Sequence, residues 1–275
     1  MTTRSRHGLL VLPLLAFLVI AYLAPVTLML ARTAGESFGF EPLRQVIASP
    51  VAVKVFLYTL ETAVWVTLIT LLLAYPLAFF IATARALTAS ILMAVVLVPF
   101  WTSILIRSYA WMVLLGRKGI INELLISVGL LSQPLKLLNT GFAVYIGMVH
   151  VLLPFMILPI LASLKGIDGR LVAAAENLGA GPVSVFRHVI LPLSMPGVLA
   201  GTVLVFVLAL GFYITPALLG GPSDMTISML IAQEVDLYRW DVGAAMAALL
   251  LVMTLVALLG FSRFVSLDKI LGGAK

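Results

Sequence analysis

Residues 137–164 read LLNTGFAVYIGMVHVLLPFMILPILASL, 28 consecutive positions without a Lys, Arg, Asp or Glu. A helix rises about 1.5 Å per residue, so roughly 20 such residues cross the ~30 Å hydrocarbon layer of a bilayer. The stretch contains Pro154 and Pro159. Lipid-embedded helices tolerate proline where neighbouring elements re-satisfy the backbone, so kinks or broken helices are expected there and at Pro76 and Pro99. Neutral runs lie on both sides: residues 9–31 (23), 62–84 (23), 86–106 (21), 189–223 (35) and 242–262 (21). The second half of the 35-residue run is broken by Gly211, Pro216, Gly220, Gly221 and Pro222. The simplest count is six crossings, giving an all-α polytopic membrane protein. The alternation of a transmembrane barrel is absent.

Composition agrees. The chain has 275 residues, of which 63% are hydrophobic and 10% charged, against about 45–50% and 25% in soluble domains. That excludes an ordinary soluble domain and a disordered chain. There is no cysteine, which removes disulfide scaffolds and thiolate metal sites. His7, His150 and His188 are too widely spaced to form a motif. The net charge of +6 in so apolar a chain speaks for membrane lipid as a partner and against nucleic acid.

The basic start before residue 9 resembles that of a signal peptide. The apolar run is too long for one and lacks a cleavage box, so it is read as a retained helix. With the N-terminus inside, the inner segments hold nine basic residues against three acids, and the outer ones eight against seven with Glu61 set aside. The short turn bearing Arg85, the basic start and the tail with Asp268, Lys269 and Lys275 put both termini on the cytoplasmic side. The 216–241 loop carries Asp224, Glu234, Asp236 and Asp241 against Arg239 and suits the outside.

Between two of the spans lies SLKGIDGRLVAAAENLGAGPVSVFRHVILPLSMPG, residues 163–197. Residues 171–178 favour a helix, and Gly179, Gly181 and Pro182 break it. Residues 183–189 can start a second short helix on Pro182, with Phe186 and Val189 three apart on one face. Pro192 and Pro196 then punctuate entry into the next span. Such a helix–turn–helix suits docking to another protein; the plainer alternative is an interfacial connector.

Here the chain resembles the permease subunits of ATP-binding-cassette importers, whose inner loop runs approximately E-A-A-x-x-x-G-A, then F-x-x-V-x-L-P. The paired alanines fall on Ala174 and Ala175, the glycine on Gly179, and the later positions on Phe186, Val189, Leu191 and Pro192. The glutamate position falls on Ala173, with Glu176 nearby. Further segments are similar to the spermidine/putrescine permease subfamily: PFWTSILIRSYAW at 99–111, GIIN at 119–122, LPF at 153–155 and YITPALLGGP at 213–222, then Trp240 and GAA at 243–245.

The resemblance implies a type I importer permease fold and a single permease domain over 1–275, with a cytoplasmic coupling loop at 164–195. It implies a bacterial inner-membrane location and three kinds of partner: a second homologous permease in a heterodimer, two ATP-binding subunits, and an external solute-binding protein. The chain has no phosphate loop. It is therefore expected to be no enzyme and to bind no cofactor, with ATP and Mg2+ belonging to the partner ATPases. In the coupling loop, Ala173, Ala174, Ala175, Glu176, Gly179, Phe186, Val189 and Pro192 are the expected contact set.

The implied solute is a polyamine, or another small solute of the same subfamily. An ammonium chain needs carboxylate or carbonyl acceptors and aromatic faces. Glu61, Trp101, Tyr109, Trp111 and Tyr213 are the pathway candidates, set against interfacial belt or packing roles for the rings and a solvated helix end for Glu61. The outer acids either concentrate a cation or form a solvated face. Arg107 is expected to pair with an acid or a headgroup. Two other classes stay open on the residues alone: an ion-coupled carrier, which would want repeats and buried carboxylates, and an anchoring subunit, which would need no docking loop.

Overall fold

The computed structural model describes residues 4–33 and 40–264. Asp268, Lys269 and Lys275, which entered the orientation argument, lie outside the described residues. All regular structure within them is helical: α1 (Arg4–Arg32), α2 (Glu41–Ala48), α3 (Pro50–Thr83), α4 (Ala86–Leu97), α5 (Ile104–Leu115), α6 (Ile120–Ser127), α7 (Gly141–Lys165), α8 (Gly169–Asn177), α9 (Pro182–Val185), α10 (Leu191–Leu210), α11 (Ile214–Leu219), α12 (Ile227–Asp236) and α13 (Trp240–Phe264). The chain packs as two compact units, Met1–Lys54 with Ile227–Met253, and Val55–Thr226 with Thr254–Lys275.

In the first unit, Leu28 and Met29 of α1 face Ile231 and Val235 of α12 and Ala244 of α13 across an open apolar groove of about 680 Å³. The second unit is built on the pairing of α7 with α10. Met148, Leu152, Met156, Ile157 and Ile160 of α7 are fully buried. The small residues of α10 let the two backbones approach. A Cβ on Gly197 would strike the Pro159 carbonyl and Ser163 Oγ, and one on Gly201 would lie 2.9 Å from Met156 Sδ. This is the small-residue seam expected of helices packing in lipid.

α3 buries Ala63, Val66, Thr67, Thr70, Ala74, Ala78 and Ile81 on one stripe, while Leu68, Leu72 and Leu73 stay exposed. The buried hydroxyls of Thr67 and Thr70 donate to the Ala63 and Val66 carbonyls of their own helix, at 2.7 and 2.6 Å. Polar side chains are thereby satisfied in an apolar setting without a partner helix.

Among the described residues five helices are long and apolar enough to cross a membrane: Pro13–Arg32, Pro50–Thr83, Gly141–Lys165, Pro182–Leu210 and Trp240–Phe261. The expected crossing at 86–106 does not form as one straight helix. Ala86–Trp101 and Ile104–Ser127 are bent by 102° at their break, and counting this pair as one span gives six. Pro99 lies in a tight helical turn over Val98–Trp101, Thr102 is extended, and the Ser103 side chain caps α5 by accepting from the Leu105 N–H. Proline followed by a capping serine is a stop-and-restart signal that apolarity alone conceals. By contrast Pro76, Pro154 and Pro159 sit inside unbroken helices.

A second correction concerns Pro192 and Pro196. They do not punctuate the chain, which stays helical from Pro182 to Leu210. A wide turn over Phe186–Ile190, in which the Leu191 N–H donates to the Phe186 carbonyl, precedes Pro192. Widening the helix there makes room for a proline ring that would otherwise meet the carbonyl four residues back.

Candidate functional site

The helix–turn–helix expected between two spans is present and its ends are locally encoded. Asp168 caps α8 by accepting from the Arg170 N–H at 2.9 Å, a standard N-terminal cap. At the other end Gly179 has φ +85°. Its N–H donates to the Glu176 carbonyl at 2.9 Å, and the Ala180 N–H to the Ala175 carbonyl at 3.0 Å. This is the Schellman arrangement, which favours glycine because a Cβ strains the left-handed backbone. Nothing lies within 4 Å of where that Cβ would stand, so the glycine serves the turn and not a close approach within this chain.

The outer face of the element is bare. Ala173, Ala174, Glu176 and Gly179 are exposed and Ala175 is partly covered. Leu178 and Val183, at the turn, are 89% and 78% exposed. Neither was among the expected contact residues, although two apolar side chains flanking a glycine turn were readable as a docking tip.

Phe186 and Val189 are half-buried, and Pro192 is exposed on the continuous helix. The Phe186 ring points into its own protein. It meets Tyr75 and Phe79 of α3 edge to face, with centroids 6.0 and 5.6 Å apart. Beside this clasp the Tyr75 and Ser194 hydroxyls lie 2.9 Å apart, so α3 is tied to both the helix–turn–helix segment and α10. The Tyr75/Phe79 pair stands four apart in the sequence, but its partner is more than 100 positions away and gave no local signal.

The pathway candidates divide. Trp101 is 85% exposed, and its ring contacts Phe100. Tyr109, Tyr213 and Glu61 are also exposed. Trp111 is half-buried and donates Nε1–H to His150 Nδ1 at 3.1 Å. Because an indole only donates, this bond places the His150 proton on Nε2. His150, passed over in sequence for want of a motif, is thus the partner of a candidate residue. Next to it is a cavity of about 420 Å³ lined by Ile69, Leu73, Phe142, Tyr145, Val149 and His150. Arg107 has no acid partner among the described residues; its Nε and Nη1 are buried without a hydrogen bond.

The four acids of the 216–241 loop do not share one solvated setting. Asp224 and Glu234 are each 7% exposed. Asp224 accepts from the Tyr58 hydroxyl at 3.1 Å and the Gly221 N–H at 2.8 Å. Glu234 pairs with Arg239, Nε–Oε2 2.7 Å and Nη2–Oε1 2.9 Å. Local donors therefore claim two of the acids. Asp236 is exposed, and Asp241 is partly covered in the first turn of α13, where the helix dipole favours it.

Comparison with known proteins fits this arrangement. Residues 9–269 match the family described as binding-protein-dependent transport system inner membrane component. The spermidine/putrescine transport system permease protein PotB of Haemophilus influenzae is 42% identical over 214 residues, covering 78% of this chain and 74% of that protein. Its Escherichia coli K12 counterpart is 36% identical over 218 residues, 79% of each. In a crystal structure of a bacterial alginate ABC transporter with an alginate pentasaccharide-bound periplasmic protein, one chain superposes with a TM-score of 0.77 at 19% identity, over 94% of this chain and 92% of that one. That likeness concerns the fold. The chain belongs to the family of binding-protein-dependent transport system inner membrane components and is a multi-pass permease with the fold of ABC importers.

Proposed function

We propose that this permease is one half of the membrane pathway of an ATP-driven type I importer, and that its solute is a polyamine of the spermidine/putrescine class. One observation carries the transport reading: a capped helix–turn–helix stands between two apolar spans with Leu178 and Val183 bare at its tip. Apolar side chains so exposed call for a partner surface. The partners that fit are two cytoplasmic ATPases. A second, homologous permease completes the pathway, and an external binding protein delivers the solute. The whole of 1–275 then acts as one permease domain crossing six times, with both termini cytoplasmic and residues 164–195 as its coupling loop.

In this reading ATPase closure displaces α8 and α9, and the Phe186 clasp passes the displacement to α3. Such coupling requires different contacts in two states; the clasp and the Tyr75–Ser194 pair are the contacts available to change. Kinship with spermidine/putrescine permeases supports the solute class. The test is reconstitution of the four-component system in proteoliposomes. ATP-dependent uptake of labelled spermidine or putrescine, saturable and dependent on the binding protein, is expected. Uptake of another solute with none of either amine would remove the polyamine assignment. Failure of ATP to drive any uptake would remove the importer reading.

A further inference from the structure

At the end of the second unit where α7 begins, the fold assembles acceptors from three distant segments. Asp224 is 7% exposed and receives only neutral donors, the Tyr58 hydroxyl and the Gly221 N–H. Tyr145, on the first turns of α7, lies within electrostatic reach of both Asp224 and Glu61. Among the described residues neither carboxylate forms an ion pair; the pair found there joins Arg239 to Glu234. Thr62 is 1% exposed and its Oγ1 stands beside the hydroxyls of both tyrosines without a hydrogen bond of good geometry to either. A buried carboxylate without a counter-ion and a buried hydroxyl in poor hydrogen-bond geometry are both costly. Together they point to a missing cationic donor.

We propose that Glu61, Asp224, Tyr58, Thr62 and Tyr145 form a binding subsite for one organic ammonium group, whose aliphatic chain lies along the adjoining cavity. The subsite rests on the importer reading and adds the place where this chain holds the solute. An alkylammonium offers three N–H donors, matched by two carboxylates and hydroxyl oxygens, and its charge favours aromatic faces. Among the described residues no three His, Asp or Glu side chains converge as a metal ion would require. Tyr145 lines both the acceptor cluster and the cavity of about 420 Å³, whose other walls include Ile69, Leu73, Phe142 and Val149. His150 closes the lining with an Nε2–H donor, since Trp111 occupies its Nδ1. This chain therefore offers acceptors to one ammonium group, at one end of the cavity.

The test uses the full permease purified with its co-expressed partners in nanodiscs, with n-butylamine as probe and n-butanol as the uncharged control. Butylammonium should bind and butanol should not. Glu61→Gln, at an exposed position, should lower butylammonium affinity at least tenfold with assembly unchanged. Asp224→Asn should do the same, and Tyr58→Phe should cost a few-fold. Equal binding of amine and alcohol, or unchanged amine affinity in assembled Glu61→Gln, overturns the subsite. If Asp224→Asn fails to assemble, Glu61→Gln decides alone. ATP-driven uptake by the same wild-type preparation reports separately on the importer reading: uptake that persists while the amine results fail removes the subsite and leaves the importer.

Discussion

Phe186→Ala separates two roles that the proposed coupling element would combine. The ring makes two edge-to-face contacts, with Tyr75 at 6.0 Å and Phe79 at 5.6 Å. Each such pair contributes about 0.5–1.5 kcal/mol beyond burial. Truncating a fully buried Phe costs roughly 3–5 kcal/mol, and Phe186 is only half-buried. A loss of about 2 kcal/mol follows, enough to shift a two-state equilibrium ~30-fold. The bare tip at Leu178 and Val183 is untouched. The ATPases should therefore still co-purify, while solute imported per ATP hydrolysed falls several-fold in proteoliposomes. Phe186→Leu should recover part of the coupling, because it restores apolar volume without the ring pairs. Loss of ATPase binding would make Phe186 a docking contact, contrary to its inward orientation. Unchanged import per ATP would show that the clasp transmits nothing.

The elements most legible in the sequence were those fixed locally. The neutral runs located five long apolar helices because exclusion of charge from lipid acts residue by residue. The Gly179 turn was legible because only one residue type adopts that backbone without strain. One error came from reading proline as punctuation. Pro99 ends a helix, one of the two outcomes expected of it, helped by the Ser103 cap, whereas Pro192 follows a widened turn and ends nothing. Composition does not distinguish these, because the outcome depends on which carbonyl lies opposite the ring. The site was less legible still. Asp224 sits in an acidic loop by sequence, yet its carboxylate faces Tyr58, 166 positions earlier. Trp111 was readable as a belt or pathway residue, but its Nε1–H donates to His150, 39 positions later. Such pairings are set by the packing of α3, α5, α7 and the 220–224 turn, and nothing local announces them.

Four further tests bear on the assignment. Gly179→Val should strain the left-handed turn at φ +85° by roughly 1–2 kcal/mol and release the ATPases in pull-down while leaving thermal stability of the membrane portion near wild type. Ala175→Trp should block close approach and uncouple or disassemble the complex; normal assembly with normal uptake would count against the docking face. Gly197→Leu forces a side chain into the Pro159 carbonyl and Ser163 Oγ, and should abolish stable insertion in a detergent-resistance assay, whereas Leu204→Ala at an exposed position of the same helix should not. The last concerns steering by the acids of the 216–241 loop. Glu234 is neutralised by Arg239 and Asp224 is buried among neutral donors, so Asp236 and Asp241 are the loop carboxylates that can be neutralised without disturbing a buried contact. The screening length is about 30 Å at 0.01 M salt and ~3 Å at 1 M, so their influence on an approaching cation or a basic binding-protein face should vanish between those limits. Asp236→Asn with Asp241→Asn should therefore slow uptake at 0.01 M salt and leave it unchanged at 1 M. A double variant whose uptake has the wild-type salt profile would show that these two carboxylates are a solvated surface and steer nothing.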